Sequence, residues 1–139
     1  MSIQHKDSRR KANAFNCQID SNEAFNFPLV TAFRTQGIAI TGADEIPDDQ
    51  EIYKIEFTLD NDIVTAEYNL GHPKVRVDTV TGKANIRYTP ISMTLNLTVD
   101  HSSKSVSGVY AIDTVEDYDG VAKPGIKLNG NFAVTYIGS

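Results

Sequence analysis

The chain contains six tyrosines and no tryptophan. Five of the tyrosines (Tyr53, Tyr68, Tyr88, Tyr110 and Tyr136) fall on the apolar phase of alternating segments. A phenol hydroxyl carried into an interior needs a partner, because leaving it bare costs about 1–3 kcal/mol. Backbone carbonyls, a wet rim, buried water or a bound molecule all meet that need. The last case describes an aromatic pocket with polar tips, suited to a small amphipathic molecule or a sugar. Tyr68, Tyr88, Tyr110 and Tyr136 are therefore the candidate ligand-binding residues.

Other residue types offer less. Glu56, Glu67 and Asp78 are expected in one outward row across three strands, with Lys54, Asn69, Arg76 and Arg87 in the next. Carboxylates so placed suit a divalent cation or acid–base work, and they equally suit a salt-bridged, solvated face. Two loops are acidic, Asp44 to Glu51 and Asp113 to Gly120. In the second, Asp117 and Asp119 have calcium-loop spacing relative to Gly120. Val115 and Ile126 stand where an EF-hand needs its first aspartate and its bidentate glutamate, so that motif is excluded and only an irregular cation site remains open.

Asp100-His101-Ser102 has the residue types of a catalytic triad, but neighbours in one turn point in different directions. No HxH, HExxH, CxxC or glycine-rich phosphate loop occurs, so no metal site and no cofactor is expected. The single cysteine, Cys17, lies on an apolar phase and is expected to pack as a small hydrophobe. No catalytic residue can be assigned, and the balance favours binding over catalysis.

The 139 residues suffice for one domain, expected over 13–139 behind a flexible tail at 1–12. Forty per cent of the chain is hydrophobic, which supports one sizeable core. The net charge of −5 argues against nucleic acid as a partner, and no apolar run is long enough to span a bilayer. The basic stretch Arg9-Arg10-Lys11 is followed by no apolar signal-peptide core, and one cysteine forms no internal disulfide, so a soluble cytoplasmic protein is expected.

Period-two alternation defines the elements that must position these groups. It runs through Phe15–Ile19, Tyr53–Leu59, Val64–Leu70, Val75–Val77, Ala84–Tyr88, Ile91–Val99, Val106–Ile112 and Ile126–Tyr136. Turns are expected at Asn61-Asp62, His72-Pro73, Thr81-Gly82 and His101 to Lys104. Read as hairpins, all four keep apolar opposite apolar: Leu59 with Val64, Tyr68 with Val77, Val77 with Ile86, and Leu95 with Tyr110. The inward phase jumps by one between Pro90 and Ile91, which predicts a bulge, corner or edge at Thr89-Pro90.

The expected fold is all-β, an antiparallel meander of about eight or more strands closing into a small β-barrel, with a two-sheet sandwich as the alternative. Lipocalin-like and avidin-like barrels share that outline, but the absence of tryptophan removes the signature of the one and the pocket of the other. The expected function is a non-catalytic barrel that binds a small amphipathic ligand or a protein partner. The alternatives are an assembly subunit, including a homo-oligomer, that interacts through a strand edge or charged sheet face, and a metal-free enzyme built on the barrel cavity.

Overall fold

The computed structural model describes residues 12–46, 51–118 and 121–138. The expected tail at 1–12 therefore lies outside the described residues except for Ala12. Among the described residues ten strands form: β1 (Ala14–Ile19), β2 (Phe25–Asn26), β3 (Leu29–Arg34), β4 (Ile38–Ala43), β5 (Ile52–Leu59), β6 (Ala66–Asn69), β7 (Val75–Gly82), β8 (Tyr88–Asp100), β9 (Ser105–Tyr118) and β10 (Val121–Thr135). A single 3₁₀ turn at Lys83–Asn85 joins β7 to β8. Among the described residues no helix is long and apolar enough to cross a membrane.

The strands build two antiparallel sheets, ordered β2-β1-β10-β9-β8-β6 and β3-β4-β5-β7. Neither closes on itself, so the expected barrel does not form and the two layers fit the sandwich alternative. The reason lies in the middle of the chain. From β5 to β8 each connection crosses to the opposite layer, so strands consecutive in sequence are not neighbours in a sheet. Among the described residues two isolated bridges join the layers at their corners, Thr81 with Arg87 and Phe33 with Ile137.

That crossing overturns three of the four expected hairpins. Leu59 pairs with Ile38 and Val75 rather than Val64. Tyr68 pairs with Leu95 rather than Val77, and Val77 pairs with Phe57 rather than Ile86. The fourth hairpin forms in the expected register, with Val99 opposite Val106, Leu95 opposite Tyr110 and Met93 opposite Ile112. Phase errors follow the same cause. Val64 and Leu70 are exposed because only Tyr68 of that segment is buried against the core. Tyr53 is half-buried, since a register shift between Ile52 and Lys54 turns Ile52 inward instead.

The core is aromatic at its centre. Phe15 is fully buried and touches four rings: Phe27 and Phe132 at 5.4 Å, Tyr110 at 5.7 Å and Phe57 at 6.1 Å between centroids. Gly42 on β4 makes room for two of them, because a Cβ there would stand 2.6 Å from Phe27 and 2.8 Å from Phe15.

The irregularity expected at Thr89-Pro90 is present as a shift in register between Pro90 and Ser92, which leaves Ile91 exposed rather than inward. A second shift, between Pro124 and Lys127, lies on the other side of β9. Thr114 of β9 sits between the two and is 5% exposed. Its hydroxyl donates to the Ile126 carbonyl at 2.9 Å and accepts from the Ile126 amide at 3.0 Å. One side chain thus replaces two backbone partners that the bulge removes.

At the opposite end of the sandwich His101 joins three segments. Its Nε2 lies 2.7 Å from the Ile63 carbonyl, an acceptor, so Nε2 carries the proton and donates. Nδ1 then accepts from the Tyr136 hydroxyl at 3.0 Å. The Arg34 guanidinium stands over the Tyr136 ring at 5.8 Å and donates through Nε to Asn61 Oδ1 at 3.1 Å.

Candidate functional site

Outward positions of the six-stranded sheet form rows that the strand registers fix. One row runs Gln18, Asn129, Ala111, Thr94 and Asn69 across β1, β10, β9, β8 and β6. The next runs Asn131, Val109, Asn96 and Glu67, with Asn16 beside Asn131. Asn16 Nδ2 donates to Asn131 Oδ1 at 3.1 Å, and the Asn131 amide donates to Asn16 Oδ1 at 2.9 Å.

These rows enclose an open basin of about 420 Å³, lined by Asn16, Gln18, Ala24, Thr94, Asn96, Val109, Tyr110, Ala111, Asn129, Gly130 and Asn131. None of these residues is charged. The side chains of Thr94, Asn96 and Asn129 make no hydrogen bond among the described residues, so they remain available to a ligand. Val109 is 59% exposed and forms, with Ala111, an apolar strip along the centre.

Tyr110 lies beneath the basin. Its ring belongs to the core, and its hydroxyl donates to the Asn16 carbonyl at 2.7 Å. Gly130 permits this passage, because a Cβ there would collide with both the Asn16 carbonyl and the Tyr110 hydroxyl. Burial pushes the Tyr110 phenol up, and the neighbouring Cys17 thiol adds to the shift.

The four candidate tyrosines are buried but do not converge on one pocket. Tyr68 donates to the Val64 carbonyl at 2.8 Å, Tyr110 to Asn16, and Tyr136 to His101. Three hydroxyls are thus satisfied inside the protein. The Tyr88 hydroxyl has no hydrogen-bond partner among the described residues. Tyr88 lines a second cleft of about 330 Å³ between β7 and the start of β8, together with Asp78, Thr79, Thr81, Arg87 and Pro90. Its phenol is raised by burial and then by the negative charges of Glu51, Glu116 and Asp20.

The expected acidic row is split between the layers. Glu67 lies on the six-stranded sheet, and Glu56 and Asp78 on the other. Glu56 accepts from Thr41 Oγ1 at 2.7 Å, and Asp78 accepts from Arg76 Nε at 2.7 Å and from the Thr58 hydroxyl. Arg76 is raised by Asp78 first, through the hydrogen bond and then the charge. Among the described residues no group of three His, Cys, Asp or Glu side chains is placed to hold a metal ion. Asp119 of the second acidic loop lies outside the described residues. In Asp100-His101-Ser102, Asp100 Oδ1 accepts from the Ser102 hydroxyl at 2.6 Å and the Ser102 amide at 3.0 Å, so it shapes the turn while His101 faces Tyr136. The hydroxyl and amide donors of Ser102 and Ser103 hold Asp100 below the usual carboxylate range.

Cys17 is fully buried, as its phase implied, and burial pushes its thiol from an ordinary 9.0 up to about 11. The folded state therefore favours the neutral thiol. That contribution is complete below about pH 9, where the unfolded thiol is also neutral, and is lost as pH rises towards about 11. Urea denaturation across this window is expected to show a fall of about 2–3 kcal/mol that Cys17→Ala lacks. Parallel curves for the two proteins would remove Cys17 as its source.

In comparisons with known proteins, no family model, curated protein or solved structure matches the chain. The carboxamide basin was not anticipated from the sequence. Its signal was present in the outward phase of β1, β8 and β10 (Asn16, Gln18, Thr94, Asn96, Asn129, Asn131), which carries amides and hydroxyls in place of charge.

Proposed function

We propose that the chain is a non-catalytic binding module that takes a small amphipathic ligand on the outer face of its six-stranded sheet. The observation that carries this reading is the charge-free basin of about 420 Å³ around Val109 and Ala111. Its apolar centre rewards contact with carbon, and its rim offers donors and acceptors without the desolvation cost of a charge. The inward tyrosines support the reading less directly: Tyr110 anchors β1 beneath the basin, while Tyr68 and Tyr136 have their hydroxyls bonded internally.

The test is a titration of ¹⁵N-labelled protein with cyclohexanol and N-methylacetamide, followed by NMR. Shifts concentrated in the backbone amides of Val109 and Ala111 and the side-chain amides of Asn96 and Asn129 are expected. Shifts scattered over the surface, or none, would defeat the proposal.

A second reading is favoured by a specific patch. Leu29 and Phe33 on β3 are 47% and 50% exposed, and Ile137, bridged to Phe33, is 68% exposed. An exposed aromatic flanked by aliphatics suits a protein partner or a second copy. Sedimentation that shows a concentration-dependent dimer, abolished by Phe33→Ser, would favour it.

A further inference from the structure

We infer that the ligand of the basin is a neutral, unbranched oligosaccharide lying across the strands, a deepening that rests on the basin being the binding surface. Charge supplies the first argument. In a chain with 22% charged residues the basin has none, so an ionic ligand would lose hydration there without gaining a counter-charge. Hydrogen-bond type supplies the second. A sugar hydroxyl both donates and accepts, and each carboxamide offers both functions on one planar group. Asn96 and Asn129 stand on either side of β9 with their side-chain amides unengaged among the described residues.

Shape supplies the third. The lining comes from β1, β10, β9 and β8, so the basin crosses four strands, which at about 4.8 Å per strand spans roughly 14 Å. The site is therefore long and open, matched to an extended chain of sugar rings rather than to one enclosed molecule. Carbon–hydrogen faces of the rings rest on Val109 and Ala111, while hydroxyls reach Asn96 on one flank and Asn129 on the other.

The test titrates the ¹⁵N-labelled full chain with cellopentaose, maltopentaose, xylopentaose and mannopentaose, with oligogalacturonate as an anionic control. At least one neutral pentasaccharide is expected to move the side-chain amide resonances of Asn96 and Asn129 saturably, and the anionic control is not. The double variant Asn96→Ala, Asn129→Ala is expected to bind that sugar about tenfold more weakly or worse. Both positions are exposed, so its thermal midpoint should match the parent's. Shifts with cyclohexanol or N-methylacetamide but with no neutral sugar would overturn the oligosaccharide and leave the binding surface standing. Silence from every probe would overturn both. Equal or tighter binding of oligogalacturonate would also reject the neutral-sugar assignment.

Discussion

Phe15→Ala is expected to lower the free energy of unfolding by about 3–5 kcal/mol, read from a urea denaturation curve. Phe15 is fully buried and is the one ring in contact with Phe27, Phe57, Tyr110 and Phe132 together, so truncation leaves a void bounded by residues from both sheets. The walls of that void are held by separate strands, which limits collapse and puts the loss towards the upper part of the range. Natural domains are stable by only about 5–15 kcal/mol, so about a fifth of the total or more is at stake. Phe15→Leu refills most of the volume and should recover much of the loss. An alanine variant within about 1 kcal/mol of the parent would mean that the two layers are not packed through this ring.

Thr114→Val is the second large effect. Valine matches threonine in shape but removes the hydroxyl that serves both the carbonyl and the amide of Ile126. Each orphaned backbone group costs about 1–3 kcal/mol when buried, and here two are orphaned at once. Thr114→Ser keeps the hydroxyl and should restore most of the stability. Hydrogen exchange at the Ile126 amide separates this cause from general loosening: it is expected to accelerate far more in the valine variant than in the serine one. Equal exchange in both would assign the loss to packing instead of to the hydroxyl.

How much of this was legible beforehand depends on distance along the chain. The hairpin between Val99 and Val106 was readable because its turn is short and its two strands lie in one sheet. The expected turns at Asn61-Asp62, His72-Pro73 and Thr81-Gly82 pass the same apolar-opposite-apolar test, yet the strands around the first two part to opposite layers, and Thr81-Gly82 lies within β7, with the chain turning only at Lys83–Asn85. Alternation reports which residues face inward, not which layer a strand joins, and two strands that pass each other between layers satisfy it equally well. The rule also fails at bulges: Tyr53 and Ile91 were placed inward by counting, and register shifts beside each turn them outward or half outward. The core tyrosines are legible, but the hydroxyl partners of Tyr110 and Tyr136 (Asn16 and His101) come from distant segments that no local pattern connects to them, and only Tyr68 bonds within its own segment, to Val64. The basin shows the same limit. Its amides were visible singly on the outward phase, but they become one surface only because β1 lies beside β10.

That adjacency also bears on how the molecule assembles. Asn16 and Asn131, neighbours in the folded sheet, are 115 residues apart in the chain. During synthesis from the amino end, β1 emerges early with Phe15, Cys17 and Ile19 to be buried, meets only the short β2 nearby, and pairs on its other edge with a strand made more than a hundred residues later. The meander β8-β9-β10 closes through nearby contacts, whereas β1 reaches it only across more than a hundred residues, and such long-range pairing is expected to slow folding relative to a sheet built of hairpins alone.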